Sequence, residues 1–463
     1  MTLMISLSGI RGIYDKDITE TIAVKYTYAY YSYIRHKTKK NNPTLVIGRD
    51  TRSSGAKLSE AIIRILDCNF IDVGIAPTPA IEFAVRHFNA DGGVIITASH
   101  NEPYWNGFKF LKGNGSILNE KEISTVANNF KTFKNFHKIQ ERKVLERNSE
   151  TIQEYTNFIL NIIGSENIER IKNSMQKIII DPNGGTAVIA KKILEQIGIN
   201  VTGVNLTYGE FNRIVEPNED SLIYLKNIIE DNKADFAAGF DCDADRVEIL
   251  LNSGRLLSGH YIFALVVHET LSSIKNPKQQ IIVSNDATSN IVRHVADKFG
   301  AKVKEVEAGE INVVEQMQRS KAIVGGEGSN GGVIIPPSKC RDGILTMLKL
   351  LSIVAKNKKN LQAIVDDFPK YTTLKEKLVF NESKQIAIRK YLKGIYIKKG
   401  FEVREHGGLS GSLKVVTGKN SFVWFRASRT EANVFRIIAD SDSKEEAEEL
   451  MEEAISIFKK ANE

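Results

Sequence analysis

Four stretches of this chain hold residue types that could do chemistry together. The first covers residues 92–110, GGVIITASHNEPYWNGFKF. Its apolar, β-branched run 94–97 predicts a buried strand, which runs out at Ala98-Ser99-His100-Asn101 ahead of Glu102-Pro103. Pro103 fixes its own φ and restricts Glu102, so the strand cannot continue through them. A hydroxyl and an imidazole then stand at the carboxyl edge of a sheet, where α/β proteins bind ligands. Taken alone, a Ser-His pair reads first as a strand leaving through a polar turn. Three further loops change that balance.

The second stretch, GFDCDADRVEIL at 239–250, places Asp241, Asp243 and Asp245 on alternate residues between an incoming strand (236–240) and an outgoing one (247–250). Three carboxylates this close repel each other unless a cation or a cationic side chain sits among them. Arg246 could offset one charge, so a divalent metal is the favoured reading, with a solvated acidic turn as the alternative. Oxygen-only ligands point to magnesium or calcium. An EF-hand would need Gly sixth and Glu twelfth, and those positions hold Arg246 and Asn252. An aspartyl nucleophile at Asp241 stays open as a phosphatase-like alternative.

The third, VGGEGSNGGVIIPP at 324–337, spells GxGxxG with Gly326, Gly328 and Gly331. A dinucleotide site needs that signature to open a helix, and this one runs into Val333-Ile334-Ile335-Pro336-Pro337. Its Glu327, Ser329 and Asn330 instead suit sugar hydroxyls, or the segment is a plain flexible turn. In the fourth, FRASRTEANVFR at 425–436, Arg426 and Arg436 flank the hydroxyls of Ser428 and Thr430. Guanidinium forks, hydroxyls and turn amides together make a phosphate-binding set. Chance charge on a surface turn is the competing reading.

One supersecondary pattern that could position these loops recurs three times. A β-branched strand, a turn rich in Asp, Asn, Gly, Ser and Thr, an amphipathic helix and a second strand begin at Thr44, Lys177 and Gln280. Each is a βαβ unit with parallel strands. Recurrence at intervals of roughly 100–130 residues implies three related α/β domains with mixed sheets, since solenoid repeats are shorter. The last hundred residues differ. Alternating stretches at 402–406, 412–417, 421–425 and 434–438 and one amphipathic helix predict a smaller α+β domain with an antiparallel sheet. Ser443 and Glu446 form a capping box at the start of that helix. The expected domains are 1–153, 154–254, 255–368 and 369–463.

Composition narrows the class. The chain has 463 residues, enough for about three or four domains. Its hydrophobic fraction of 42% and charged fraction of 26% are those of a soluble globular protein. A net charge of +7 favours anionic ligands, but no basic block argues for nucleic acid. Cys68, Cys242 and Cys340 are scattered, which argues against a disulfide framework or a cysteine-ligated zinc and suits a reducing compartment. No signal peptide and no membrane-spanning run is legible, so the expectation is a cytoplasmic protein, monomer or homo-oligomer, without a membrane partner.

All four loops, in this order and over essentially the whole length, resemble the α-D-phosphohexomutase superfamily of phosphoglucomutases, phosphomannomutases and phosphoglucosamine mutases. Members have four domains around a cleft, a phosphoserine in a TASHNP loop, magnesium on a DGDGDR loop, a sugar-reading GExSG-type loop and a phosphate-holding RxSGTEPxxR loop. The resemblance implies that Ser99 is the phosphoserine, with Asp241, Asp243 and Asp245 holding Mg2+ beside it and Arg246 in support. It implies Arg11, from Ser8-Gly9-Ile10-Arg11-Gly12, near the phosphoserine, His100 beside the nucleophile and Lys109 moving protons. Glu327, Ser329 and Asn330 would face the sugar, and Arg426, Ser428, Thr430 and Arg436 the phosphate. The implied reaction passes a phosphoryl group between C1 and C6 of a hexose phosphate (glucosamine, glucose or mannose) through a 1,6-bisphosphate that reorients. A magnesium-dependent sugar-phosphate phosphatase and a non-catalytic sugar-phosphate binding protein are the alternatives. The chain departs from the family pattern at Glu102, an extra residue, at Cys242 and Ala244 in place of glycines, and at Asn330-Gly331-Gly332. Arg429 and Ala432 are further departures. Of these, Cys242 is the substitution expected to strain the loop if that position needs a positive φ.

Overall fold

The computed structural model describes residues 4–6, 9–66, 68–133, 143–428, 431 and 433–463. The chain divides into two compact units, Met1–Leu257 with Asn330–Ile364, and Ser258–Ser329 with Val365–Glu463.

The first unit holds two sheets. In one, the parallel strands Gly92–Ile96, Thr44–Arg49, Asn69–Ile75 and Val144–Glu146 lie side by side, and Trp105–Lys112, Gly9–Ile13 and Met4–Ser6 extend it antiparallel. Gly92–Ile96 is buried along its whole length, as its apolar run demands. Tyr30, from the helix Glu20–Thr38, stacks on Phe110 at 4.6 Å and accepts a hydrogen bond from Gly93 N at 2.9 Å. A Cβ at Gly92 would lie 2.0 Å from the Tyr30 hydroxyl, so a glycine is required there. The other sheet runs Leu256–Leu257, Val247–Leu251, Phe236–Phe240, Lys177–Asp181 and Asn200–Gly203, with its last two neighbouring pairs parallel. Both sheets are mixed.

In the second unit, Lys302–Val306, Ile281–Asn285 and Val324–Gly326 pair in parallel. All three predicted βαβ units therefore form, with helices Ser53–Ile65, Ile189–Gln196 and Ile291–Lys298 between adjacent parallel strands. The C-terminal five-stranded sheet is antiparallel, in the order Thr372–Val379, Val434–Ser441, Phe422–Ala427, Leu413–Val416 and Glu402–Glu405. Its core joins Phe425, Phe435 and Ile437 to Leu392 and Tyr396 of one helix and Met451, Ala454 and Phe458 of another.

Three expectations for this last domain are corrected. Among the described residues it has two α-helices, Gln385–Lys398 as well as Lys444–Asn462, and it gains the edge strand Thr372–Val379. The capping box is half formed. Ser443 Oγ accepts from Glu446 N at 3.2 Å, but the Glu446 carboxylate accepts from the hydroxyls of Ser441 and Ser421 instead of the Ser443 backbone. Ser441 Oγ takes the Ser443 N–H in its place, at 3.0 Å. Among the described residues, no helix is long and apolar enough to cross a membrane.

Candidate active site

The strand Gly92–Ile96 delivers Ser99 into the interior at 1% exposure, in the left-handed region at φ 53°. Its hydroxyl donates to Asp241 Oδ2 at 3.1 Å. The extra residue Glu102 is taken up in a turn in which its carbonyl accepts the Trp105 N–H at 2.9 Å. Arg11 donates to Asn101 Oδ1 at 2.9 Å. Burial pushes the Arg11 guanidinium down to about 10, against the pull of Asp243 and Asp245. His100 is held neutral, its pKa pushed far down by burial and by Arg246 and Arg11, and its Nδ1 has no hydrogen-bond partner among the described residues.

Asp241, Asp243 and Asp245 sit in the bend between Phe236–Phe240 and Val247–Leu251, essentially without solvent exposure, and offer carboxylate oxygens within 4.8 Å of one another. The positive φ of this bend falls on Ala244, at 57°, and not on Cys242. The strain expected at Cys242 therefore does not arise, and the departure from glycine is felt at Ala244.

The cationic side chains around this group exceed the single arginine that its spacing suggested. Lys109 Nζ lies 2.7 Å from Asp243 Oδ2 and 2.9 Å from Asp245 Oδ2. Arg341 approaches Asp245 Oδ2 at 3.4 Å, and Arg246 Nε lies 3.8 Å from both Asp241 and Asp245. Thr78 Oγ1 donates to Asp243 Oδ2 at 2.6 Å. Burial would raise Asp245, yet Lys109, Arg341 and Arg246 hold it far below the carboxylate range. Burial and the two neighbouring carboxylates push Asp241 up.

The group fits a hard divalent cation. With Lys109 on the Oδ2 atoms, Asp243 Oδ1 and Asp245 Oδ1 remain buried with no hydrogen-bond partner among the described residues. Oxygens buried without a partner are costly unless something else meets them. Thr78 and Arg341 carry no local motif, which is why reading by spacing missed them. Lys109 was identified, but its place between two carboxylates depends on a pairing 134 residues apart.

The remaining predicted residues divide between the two units. Asn330 belongs to the first, where its Oδ1 accepts from Arg341 at 2.7 Å. Glu327 and Ser329 belong to the second. Glu327 Oε1 accepts from Asn285 Nδ2 at 2.9 Å and from Gly309 N at 2.8 Å, and Ser329 is exposed. In the same unit Arg426 stands directly opposite Arg436 in the antiparallel register, and Arg436 directly opposite Lys377. Arg426 lies 3.4 Å from Glu307 Oε1, and Arg436 pairs with Glu431. Ser428 Oγ accepts from Glu431 N at 3.1 Å. Thr430, Arg429, Ala432 and Ser8 lie outside the described residues. Like charges directly across a ladder are unfavourable, so a row of three cations across three strands suits an anion.

A buried serine against an acidic triad, and a row of cations on a separate α+β sheet, define a phosphoryl-transfer enzyme of multidomain α/β build. Models of the phosphoglucomutase/phosphomannomutase alpha/beta/alpha domains I, II and III match residues 4–136, 153–254 and 258–371, and the chain belongs to that family, an isomerase of the phosphohexomutase type. It is 34% identical over 461 residues to a phosphoglucomutase/phosphomannomutase of Thermococcus kodakarensis, covering 98% of each chain. It is 30% identical over 456 residues to a phosphoglucosamine mutase of Prochlorococcus marinus, covering 97% of this chain and 96% of the relative.

Solved structures share the fold. The phosphoglucomutase parafusin from Paramecium superposes with a TM-score of 0.82 at 20% identity, covering 98% of this chain and 94% of its own. An N-acetylphosphoglucosamine mutase of Aspergillus fumigatus, solved with GlcNAc-6P and magnesium, gives 0.64 at 14% identity, covering 99% and 96%. The relatives are mutases, and they lend no support to the phosphatase or binding-protein alternatives.

Proposed function

We propose that Ser99 is the phosphoryl carrier of a reaction that interconverts the 1- and 6-phosphates of a hexose. The observation that carries this reading is the Ser99 hydroxyl on Asp241, inside a buried carboxylate group that also holds Lys109. In the forward half, the Ser99 Oγ–P bond breaks as a sugar hydroxyl forms its own O–P bond. The proton lost by that hydroxyl is the one Ser99 Oγ gains, and on this reading Lys109 carries it, while His100, next to Ser99 in the chain, stays neutral. The 1,6-bisphosphate then turns over and returns its other phosphoryl group to Ser99. Asp241, Asp243, Asp245 and the Ser99 phosphoryl group would hold magnesium, which supplies charge stabilisation to the transferring group. Arg11 and Arg246 stabilise charge on the same side.

Glu327, Ser329 and Asn330 read sugar hydroxyls on this view, and Arg426, Ser428, Thr430 and Arg436 hold the phosphate that is not reacting. The domain limits 1–153, 154–254, 255–368 and 369–463 assign one loop to each domain, with Asn330 closing the sugar loop. Glucose, mannose and glucosamine phosphates all offer the two positions the reaction needs. Intact mass after incubation with glucose 1,6-bisphosphate tests the reading. One added phosphoryl group on the peptide containing Ser99 is expected, without release of inorganic phosphate at the rate of turnover. No incorporation, or phosphate release matching turnover, would sink it.

A further inference from the structure

The turn Asp50-Thr51-Arg52, between the strand Thr44–Arg49 and the helix Ser53–Ile65, holds two charged residues that the chemistry above does not use. Both side chains of Asp50 and Arg52 are 0% exposed. A guanidinium has five N–H donors, and one removed from water must satisfy them within the protein. Arg52 does so. Nε donates to Asp50 Oδ2 at 3.0 Å. One terminal nitrogen donates to the carbonyls of Glu102 and Trp105, and the other to those of Ser99, at 2.8 Å, and Asn101. Four of the five bonds thus end on the backbone of a single loop, 99–105.

Asp50 closes the arrangement from the other side. Its Oδ1 accepts the Arg52 backbone N–H at 2.9 Å, and its Oδ2 accepts from Thr97 Oγ1 at 2.7 Å. Thr97 Oγ1 in turn accepts the Ser99 N–H at 2.8 Å. A circuit of hydrogen bonds therefore leaves the Ser99 N–H, passes through Thr97, Asp50 and Arg52, and returns to the Ser99 carbonyl. Both polar atoms of the Ser99 backbone are held, at a residue whose positive φ is sparsely populated outside glycine. Such a conformation persists only where its surroundings over-determine it. A buried ion pair is a poor way to gain stability compared with apolar packing, and this one commits four donors to one strained loop.

We propose that Arg52, with Asp50 and Thr97, is the positioning group that fixes the Ser99 hydroxyl for in-line phosphoryl transfer. The inference rests on Ser99 being the carrier. Arg52 touches no reacting atom and acts through the loop backbone. A lysine would keep the charge but could not span the four carbonyls, because its three donors radiate from one atom. Thr97→Val keeps the shape and removes both hydrogen bonds of Oγ1, the one from the Ser99 N–H and the one to Asp50.

The test is a time course of intact mass after mixing wild type, Arg52→Lys and Thr97→Val with glucose 1,6-bisphosphate, with thermal midpoints measured alongside. In Arg52→Lys, phosphoryl uptake on the Ser99 peptide should slow by about a hundredfold, the cost of a nucleophile displaced by roughly 1 Å. Its final amplitude should stay near that of wild type. In Thr97→Val the slowing should be about tenfold, since of the two hydrogen bonds lost only the one from the Ser99 N–H holds the Ser99 backbone directly. KM for hexose phosphate should stay put in both. An unchanged uptake rate in Arg52→Lys overturns the proposal, and so does a lowered amplitude at unchanged rate, which marks loss of fold alone. If Arg52→Lys does not fold, Thr97→Val decides in the same way. A wild type that takes up no phosphoryl group on Ser99 would instead sink the carrier assignment itself.

Discussion

Ser99, Asp243 and Asp342 show how much one side chain's surroundings decide. Ser99→Ala removes only the acceptor oxygen, and alanine tolerates φ 53° no worse than serine. Mutase turnover and phosphoryl incorporation should vanish with the thermal midpoint held, and wild-type turnover would exclude Ser99 as the carrier. Asp243 accepts from Thr78 and Lys109 on Oδ2 and leaves Oδ1 unmet. Asp243→Asn should weaken magnesium binding and lower turnover by orders of magnitude, because a neutral amide is a poorer ligand for a hard cation. Full activity of the wild type in excess EDTA would remove the acidic triad from the chemistry. Asp342 caps the helix Gly343–Asn357 through Leu345 N and accepts from the Tyr155 hydroxyl, and burial raises its carboxyl to about 6. A carboxyl raised on folding contributes stability that is fully present below its unfolded pKa and is lost as pH rises through about 6. A rise of this size corresponds to roughly 3 kcal/mol lost by neutral pH. Asp342→Asn keeps an acceptor for the cap without the charge. Its thermal midpoint relative to wild type should therefore rise between about pH 4 and pH 7, and a difference independent of pH would contradict this.

At the scale of elements, the informative feature is the row Lys377, Arg436 and Arg426 across three adjacent strands. The neighbouring acids Glu307 and Glu431 meet the two arginines, and a phosphate offers each guanidinium the same bidentate geometry with more negative charge. Arg426→Ala should lower kcat/KM by ten- to more than a hundredfold, from charge-assisted hydrogen bonds worth ~1.5–3 kcal/mol. The loss should appear in both reaction directions and equally for glucose, mannose and glucosamine phosphates. Steady-state kinetics on all three would show it, and a loss confined to one sugar would mean that the loop reads hydroxyls. Two elements of this domain escaped the sequence for physical reasons. Thr372–Val379 is an edge strand whose middle, Lys375-Glu376-Lys377, is exposed, so its alternation is diluted by charge. Gln385–Lys398 carries four isoleucines and a glycine, residues of modest or poor helix propensity, and is held by Leu392 and Tyr396 in the core.

For the whole molecule, the division into two units separates the acidic triad from the row of cations. Ligands that bind only the folded state stabilise the part they touch, by about 2.7 kcal/mol at a hundredfold excess over Kd. Magnesium alone should therefore slow amide exchange in peptides spanning 94–112 and 236–251 and leave those of 413–441 unchanged. Protection spread evenly over the chain, or none at the triad, would count against the metal reading. The three βαβ units, the acidic bend and the four loops were legible in the amino-acid sequence, because strand periodicity, turn chemistry and carboxylate spacing are local properties. Tertiary structure alone decided that Lys109 pairs with Asp243 and Asp245, that Thr78 and Arg341 join the group, and that Arg52 grips the loop of Ser99. Those contacts join positions 47 to 165 residues apart. Their energy comes from burial and from pairing of charge, and no local pattern encodes either.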